Sequence, residues 1–447
     1  MTKQNNTQGV RAKRLDKAEI EKNFSDLHPP FSRSEALIEA DRCYFCYDAP
    51  CITACPTDID IPGFIQKIRS DNVTGSAQTI FRENIMGGMC ARVCPTEILC
   101  EEACVRNTHE EKPVNIGLLQ RYATDPVLAD NTQLFTRAAS SGKQVAVVGG
   151  GPAGLSCAHR LSMLGHDVVI FNRDSKPGGL NEYGIAAYKT VDDFAQREVE
   201  YILAIGGIEV KNNMALGTDF TLSELRKEYD AVFIGLGLGA VNELGIENED
   251  LDGVESAIDY IAELRQSDDM SSLPVGGNVV VIGGGMTAID IAVQSKRLGA
   301  EQVSIAYRRG AEQMGASEFE QQLAQTSGVT IHHWVIPAAL QKNNNGISIE
   351  LQKTELDKDG RLKTTGESIT LQTDVVFKAI GQKLEDQDLH ELELQGGRIV
   401  VDESQATTLD MVWAGGDCVV GGEDLTVSAV QHGKVAAIAI DRSLSNG

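Results

Sequence analysis

The sequence predicts an α/β chain in which a helical, cysteine-rich module precedes two parallel-sheet units, the second inserted in the first. Three observations predict it. Eight of the ten cysteines lie between Cys43 and Cys104. The run QVAVVGGGPAG, with DVVIF one helix later, has a strand–turn–helix–strand rhythm, and that rhythm returns at NVVVIGGGMTAIDIAV and QVSIAY. Met411 to Asp417 (MVWAGGD) reads as a strand returning late to the first unit. Both units are therefore Rossmann-like and dinucleotide-binding. The expected divisions are 1–140 for the cysteine module, 141–255 and 386–447 for the two parts of the first unit, and 256–385 for the second.

The bulk numbers exclude some functions. Lys plus Arg is 40 and Asp plus Glu is 64, a net charge of −24. Such a chain lacks the positive footprint that nucleic acid or an anionic membrane requires. Met1 to Asp26 is polar, without the apolar core of a signal peptide, and no run approaches the roughly 20 apolar residues that span a bilayer. The expected location is cytoplasmic, where thiols stay reduced and a cysteine cluster means metal rather than disulfides.

The module carries Cys43-x2-Cys46-x4-Cys51-x3-Cys55-Pro56 and Cys90-x3-Cys94-Pro95-x4-Cys100-x3-Cys104. Iron–sulfur clusters take four ligands, usually cysteine, and proline after a ligand cysteine is typical of ferredoxin-like runs. Zinc ribbons show two separated C-x2-C knuckles, whereas this chain has one. Eight cysteines make two four-cysteine sites, so two 4Fe–4S clusters are the simplest count. Short helices are expected at Arg33 to Arg42, Pro62 to Asp71 and Asn115 to Thr124, and Ala138 to Lys143 reads as a linker. Cys157 and Cys418 read as small buried apolar residues.

The first fingerprint is Gly149-Gly150-Gly151-Pro152-Ala153-Gly154. Gly149 permits the tight turn, Gly151 the close approach of a pyrophosphate, and Gly154 close helix packing. Phosphates would sit on the helix N-terminus, beside Pro152 and Ala153. The next strand ends in Asn172, where an acid usually binds ribose; Asn172 can still hydrogen-bond a hydroxyl, and Asp174 is a substitute. Gly178, Gly179 and Leu180 bring a second backbone turn, and Gly416-Asp417 an aspartate for a ribityl chain. Both favour FAD here. Thr426 opens an apolar-periodic helix whose N-terminus can stabilise negative charge on a reduced flavin. The second fingerprint is Gly283-Gly284-Gly285-Met286-Thr287-Ala288, and Gly381 is counted with its cofactor-binding positions. Its next strand ends in Arg308 and Arg309 with no acid, which suits the 2′-phosphate of NADPH. His332 and His333, without flanking ligands, read as structural.

These motifs, in this order, resemble the pyridine-nucleotide and flavin half of dihydropyrimidine dehydrogenase, in particular the flavoprotein subunit of the bacterial two-subunit enzyme. The small subunit of glutamate synthase is a relative. The likeness runs from Cys43 to Lys434, with CPTEILC, NIGLLQ and NEYGIAAYK favouring the dihydropyrimidine branch. It implies FAD, NAD(P)H and two 4Fe–4S clusters, one on Cys43, Cys46, Cys51 and Cys104, the other on Cys55, Cys94, Cys100 and Gln120. Cys90 is then left out, although a count of cysteines alone includes it. The resemblance further implies NADH, against the arginine pair. It also implies a pyrimidine-reducing FMN and iron–sulfur partner subunit in a hetero-oligomer, with uracil or thymine reduced there. Direct hydride transfer requires no catalytic acid or base, and none is named.

Overall fold

The computed structural model describes residues 15–344, 346–385 and 388–445. The chain divides into two compact units. One holds Asp26–Asn242 and Gly381–Gly447; the other holds Glu243–Ile380 with the N-terminal segment ending at Ser25. The crossings thus fall a little before the expected 255/256 and 385/386 positions. The strand Val254–Ser256 pairs inside the second sheet, which draws the first crossing forward. The helix Lys17–Asn23 lies with the second unit rather than with the cysteine module. The Asn23 side chain donates to the Arg297 carbonyl at 3.0 Å, and Arg297 returns a bond to the Asn23 carbonyl at 2.8 Å.

In the larger unit, the cysteine module is helical, as its sequence implies. Ser32 and Glu35 form a capping box for Arg33–Ala40, and Asp60 and Asn72 cap Ile61–Arg69 and Val73–Glu83. Ile61, Phe64, Ile65 and Ile68 share one face at the i, i+3, i+4, i+7 spacing and bury it. The helix Ile116–Ala129 runs past the expected end at Thr124 and contains Pro126. Val73–Glu83 and Gly87–Val93 were not legible, because Gly75, Gly87 and Gly88 weaken the local helix signal.

The module adjoins a five-stranded parallel sheet in the order Val412–Ala414, Ala231–Ile234, Gln144–Val148, Asp167–Asn172, Ile208–Asn212. The late strand does return: Val412, Trp413 and Ala414 pair in parallel with Val232, Phe233 and Ile234. The helix Thr426–Ser445 packs on Pro152–Met163, so the first and last parts of the unit share one core. Residues 138–143 form the irregular connection expected of a linker.

The smaller unit repeats the scheme. Its parallel sheet runs Val254–Ser256, Val375–Ala379, Asn278–Gly283, Gln302–Tyr307, Val329–His333. It adds an antiparallel sheet of Val335–Asn343, Gly346–Leu356 and Leu362–Thr373, which the sequence reading did not anticipate. Among the described residues, no helix is long and apolar enough to cross a membrane.

Candidate functional site

The cysteines line two separate cavities. Cys43, Cys46, Cys51 and Cys104 face the first, walled by Ile61, Ile65, Val114 and Ile116. Cys55, Cys90, Cys94, Cys100 and Gln120 face the second, with Val427 from the long C-terminal helix. Adjacent thiols in sequence are thus divided, and Cys104 joins the first group across the fold. Among the described residues no three His, Cys, Asp or Glu side chains gather as a single-ion site. The thiols are spread around a void instead, which suits a multi-iron cluster. Burial pushes the Cys51 thiol up to about 12 and holds Cys100 well above 9, so charge there needs a compensating cation.

Gln120 donates Nε2 to the Gly87 carbonyl at 2.6 Å, which leaves Oε1 as its donor atom for a metal. Cys90 is buried beside Cys94, and its sulfur accepts from Asn84 Nδ2 at 3.2 Å. Both candidates for the eighth ligand therefore sit at the second cavity. A buried carboxyl group, that of Glu198, supports this wall: its Oε1 accepts from the Gly88 and Met89 amides at 2.9 and 3.0 Å. Nothing in local sequence pattern marked Glu198.

The first fingerprint forms the turn that its glycines require. Gly149 has φ +105°, and a Cβ there would lie 2.2 Å from the Gly235 carbonyl oxygen. A Cβ on Gly154 would lie 2.0 Å from the Gly149 carbonyl oxygen. Over Gly151 the nearest atom to such a Cβ is 3.8 Å away, which leaves the start of helix Pro152–Met163 open to a phosphate. Ala153 is buried behind that turn. Gly178 and Gly179 have φ +131° and +55°, and Gly178 N–H donates to the Gly150 carbonyl at 2.7 Å. The second turn therefore rests on the first, and Leu180 starts the short helix after it.

Asn172 is buried, and its amide N–H groups go to the Asp174 and Lys176 carbonyls and Asn212 Oδ1, at 2.8, 3.0 and 3.0 Å. It braces its own loop, and its Oδ1 lies against Gly150. Only an acceptor is left for a ribose hydroxyl. Asp174 is drawn to Arg173 at 3.6 Å. Gly416 has φ +93°, and its N–H donates to His432 Nδ1 at 3.1 Å. Burial, helped by the nearby Asp424 charge, pushes Asp417 up to about 6. Thr426 Oγ1 donates to Asn181 Oδ1 at 2.7 Å, which ties the last helix to the turn at Leu180. His432, Gly433 and Asn181 were missed in sequence; the one signal was a glycine inside a helical run.

The second fingerprint is built alike. Gly283 has φ +150°, with a Cβ clash at 2.1 Å from the Ala379 carbonyl oxygen, while Gly285 has open space above it. Met286 and Thr287 start the helix Met286–Arg297, and Ala288, in the third glycine's place, is fully buried. Arg308 and Arg309 leave the end of the neighbouring strand, and Tyr307 packs its ring over Gly284. Gly381 is not part of this turn's strand: it lies at the return into the larger unit, where its carbonyl accepts from Asn242 N–H at 3.1 Å. His332 and His333 close the edge strand.

Comparison with known proteins bears on these cradles. Residues 20–132 match the family described as dihydropyrimidine dehydrogenase domain II, 4Fe–4S cluster. Residues 143–433 match the pyridine nucleotide-disulphide oxidoreductases. The chain belongs to the pyridine nucleotide-disulphide oxidoreductase family. An NAD-dependent dihydropyrimidine dehydrogenase subunit PreT homolog of Salmonella typhi is 34% identical, over 95% of this chain and 98% of that one. The glutamate synthase [NADPH] small chain of Escherichia coli is also 34% identical, over 93% of each. Among solved structures, Mycobacterium tuberculosis FprA in complex with NADPH aligns with a TM-score of 0.57 at 18% identity, covering 68% of this chain and 85% of that one. Thioredoxin reductase of T. acidophilum aligns at 0.55 and 19%, covering 68% and 100%. These two establish the shared fold. This oxidoreductase is an NAD(P)H-linked flavin and iron–sulfur electron-transfer protein, and its cofactors are 4Fe–4S clusters, FAD and NAD(P)H.

Proposed function

We propose that the chain is the electron-input subunit of a dihydropyrimidine dehydrogenase, in a hetero-oligomer whose other subunit reduces uracil or thymine. The observation that carries this reading is the second cavity, where Gln120 stands among Cys55, Cys94 and Cys100 in a module matched to the dihydropyrimidine dehydrogenase cluster family. On this reading Cys43, Cys46, Cys51 and Cys104 hold one cluster, and Cys55, Cys94, Cys100 and Gln120 the other. The protein works in the cytosol, where thiols remain available to iron.

When bound, FAD and the clusters supply conversion of a two-electron hydride input into single-electron output. The chain's own task is placement. The backbone N–H groups of Gly151 and Ala153, and those of Gly285–Thr287, would receive the dinucleotide phosphates at two helix N-termini. Asp417 would accept from a ribityl hydroxyl, and the start of helix Thr426–Ser445 would stabilise negative charge on the reduced flavin. Val427, one residue on, lines the second cavity, which supports the reading that this cavity is the one nearer the flavin. A cluster held by the Cys55 group would then lie nearer a bound flavin than one held by the Cys43 group, and each would supply single-electron capacity. Apolar side chains of the module's core help to wall both cavities, and Ile61 is shared between them.

The small chain of glutamate synthase is as similar in sequence and supplies the second reading. The purified chain should oxidise NAD(P)H with an artificial acceptor and leave uracil untouched. Co-purified with its partner, it should show uracil-dependent NAD(P)H oxidation. Oxidation dependent on glutamine and 2-oxoglutarate instead would move it to the synthase.

A further inference from the structure

The backbone carbonyls of Arg308 and Arg309 are held by a neighbouring sheet. Arg308 and Arg309 follow the strand Gln302–Tyr307, whose partner strand ends in the Gly283–Gly285 turn. Arg308 is exposed, and Arg309 is half-buried with an Nε that has no hydrogen-bond partner among the described residues. Their carbonyls are both taken, and both by the region of the antiparallel sheet. Trp334 N–H donates to the Arg309 carbonyl at 3.1 Å, and Thr354 Oγ1 donates to the Arg308 carbonyl at 2.8 Å. The two donors are themselves joined, because Thr354 N–H donates to the Trp334 carbonyl at 2.8 Å.

The local backbone is shaped for this. Trp334, at the joint of strands Val329–His333 and Val335–Asn343, has φ +60°. Bulky residues rarely adopt that conformation, and it persists only where surroundings hold it. Its ring covers Gly310: a Cβ there would lie 3.1 Å from Trp334 Cζ2. Thr354 sits where the pairing of Gly346–Leu356 with Leu362–Thr373 shifts register. Such irregularities re-aim a side chain, and here the buried hydroxyl turns to the arginine loop while Lys353 pairs outward with Glu367 at 2.5 Å.

We propose that Trp334 and Thr354 are positioning residues for the nicotinamide dinucleotide, holding the Arg308–Arg309 backbone so that the guanidinium groups meet a phosphate of that ligand. The inference rests on the reading of this unit as the NAD(P)H site. Guanidinium recognises phosphate through a rigid fork of donors, so a small rotation of its backbone forfeits paired bonds. The phosphate is either the pyrophosphate common to both nucleotides or the 2′-phosphate of NADPH.

The test uses the full holo-chain and Thr354→Val, with NADH and NADPH oxidised against ferricyanide. KM should rise about tenfold, the equivalent of one hydrogen bond to a charged system, with kcat within about twofold. Flavin and iron content should stay at wild-type levels, and Thr354→Ser should restore KM. A rise for NADPH alone identifies the 2′-phosphate; a rise for both identifies the pyrophosphate. Trp334→Gly, which keeps the positive φ and the N–H donor, should leave KM closer to wild type than Thr354→Val does. An unchanged KM for both nucleotides in Thr354→Val, or a fall in kcat alone, overturns the proposal. Oxidation of neither nucleotide by the wild-type holo-chain would sink the NAD(P)H reading itself, and the positioning role with it.

Discussion

Glu198 shows what one side chain does between two parts of the larger unit. It is fully buried, one oxygen caps the helix Gly87–Val93, and the other has no hydrogen-bond partner among the described residues. Burial pushes its carboxyl from 4.5 up to about 8, against the pull of the Met89 amide and the Arg92 charge. The folded chain therefore keeps a proton that the unfolded chain gives up above about pH 4.5. This contribution is full below that pH and is lost at about 1.4 kcal/mol per pH unit as pH climbs towards about 8. Glu198→Gln keeps the acceptor without the titration. Thermal melting from about pH 5 to about pH 8 should show a smaller loss of stability in the variant than in the wild type. At Asp417 the raised value of about 6 acts on the ligand. Below it the carboxyl is protonated and no longer offers a charged acceptor, so flavin should be released more readily as pH falls through about 6. In Asp417→Asn, retention measured by flavin fluorescence should be weaker by about tenfold at neutral pH and nearly flat with pH. The eighth ligand is decided at this scale too. Cys90→Ala should keep its full iron and Gln120→Ala should not; a loss of about four irons in Cys90→Ala would reverse the assignment.

At the scale of elements, the helix Thr426–Ser445 has the widest reach. Its first turn meets Asn181 and the second cavity. Two turns on, a Cβ at Gly433 would lie 2.1 Å from the Ala153 carbonyl oxygen, so the helix rides directly on the first fingerprint. Lys434 then reaches the cysteine module, bonding the Thr57 carbonyl and Glu83 at 3.0 Å each. Gly433→Ala should destabilise the unit by about 1–3 kcal/mol, because backbone rather than a mobile side chain is in the way. Denaturant unfolding followed by flavin fluorescence checks this, and unchanged stability would mean that the two helices are less tightly apposed. By contrast, Gly87–Val93 has little helical propensity and depends on Glu198 and on its Arg92, which pairs with Asp125 at 2.8 Å. Elements of the first kind announce themselves by apolar periodicity; those of the second exist only because distant residues complete them.

Over the whole molecule, sequence and fold divide the information unevenly. The α/β class, the cysteine module, both glycine turns and the late return of Met411 to Asp417 were legible. Each is written in contiguous residues: β-branched runs, glycines at fixed offsets and clustered thiols act over a few positions of backbone. The antiparallel sheet behind Arg308 was not anticipated: Gly346–Leu356 does alternate, but its partner Leu362–Thr373 is mostly exposed and polar. The grouping of the N-terminal helix Lys17–Asn23 with the second unit was hidden as well, because it rests on Arg297. Spacing alone also left open which cysteines share a cavity, whether Asn172 faces a ribose or its own loop, and what holds the arginine pair. By itself the sequence determined which backbone turns form and which atoms are offered to phosphate and iron. The tertiary structure decided which of those atoms meet, because burial, long-range hydrogen bonds and close backbone contacts depend on residues far apart in the chain.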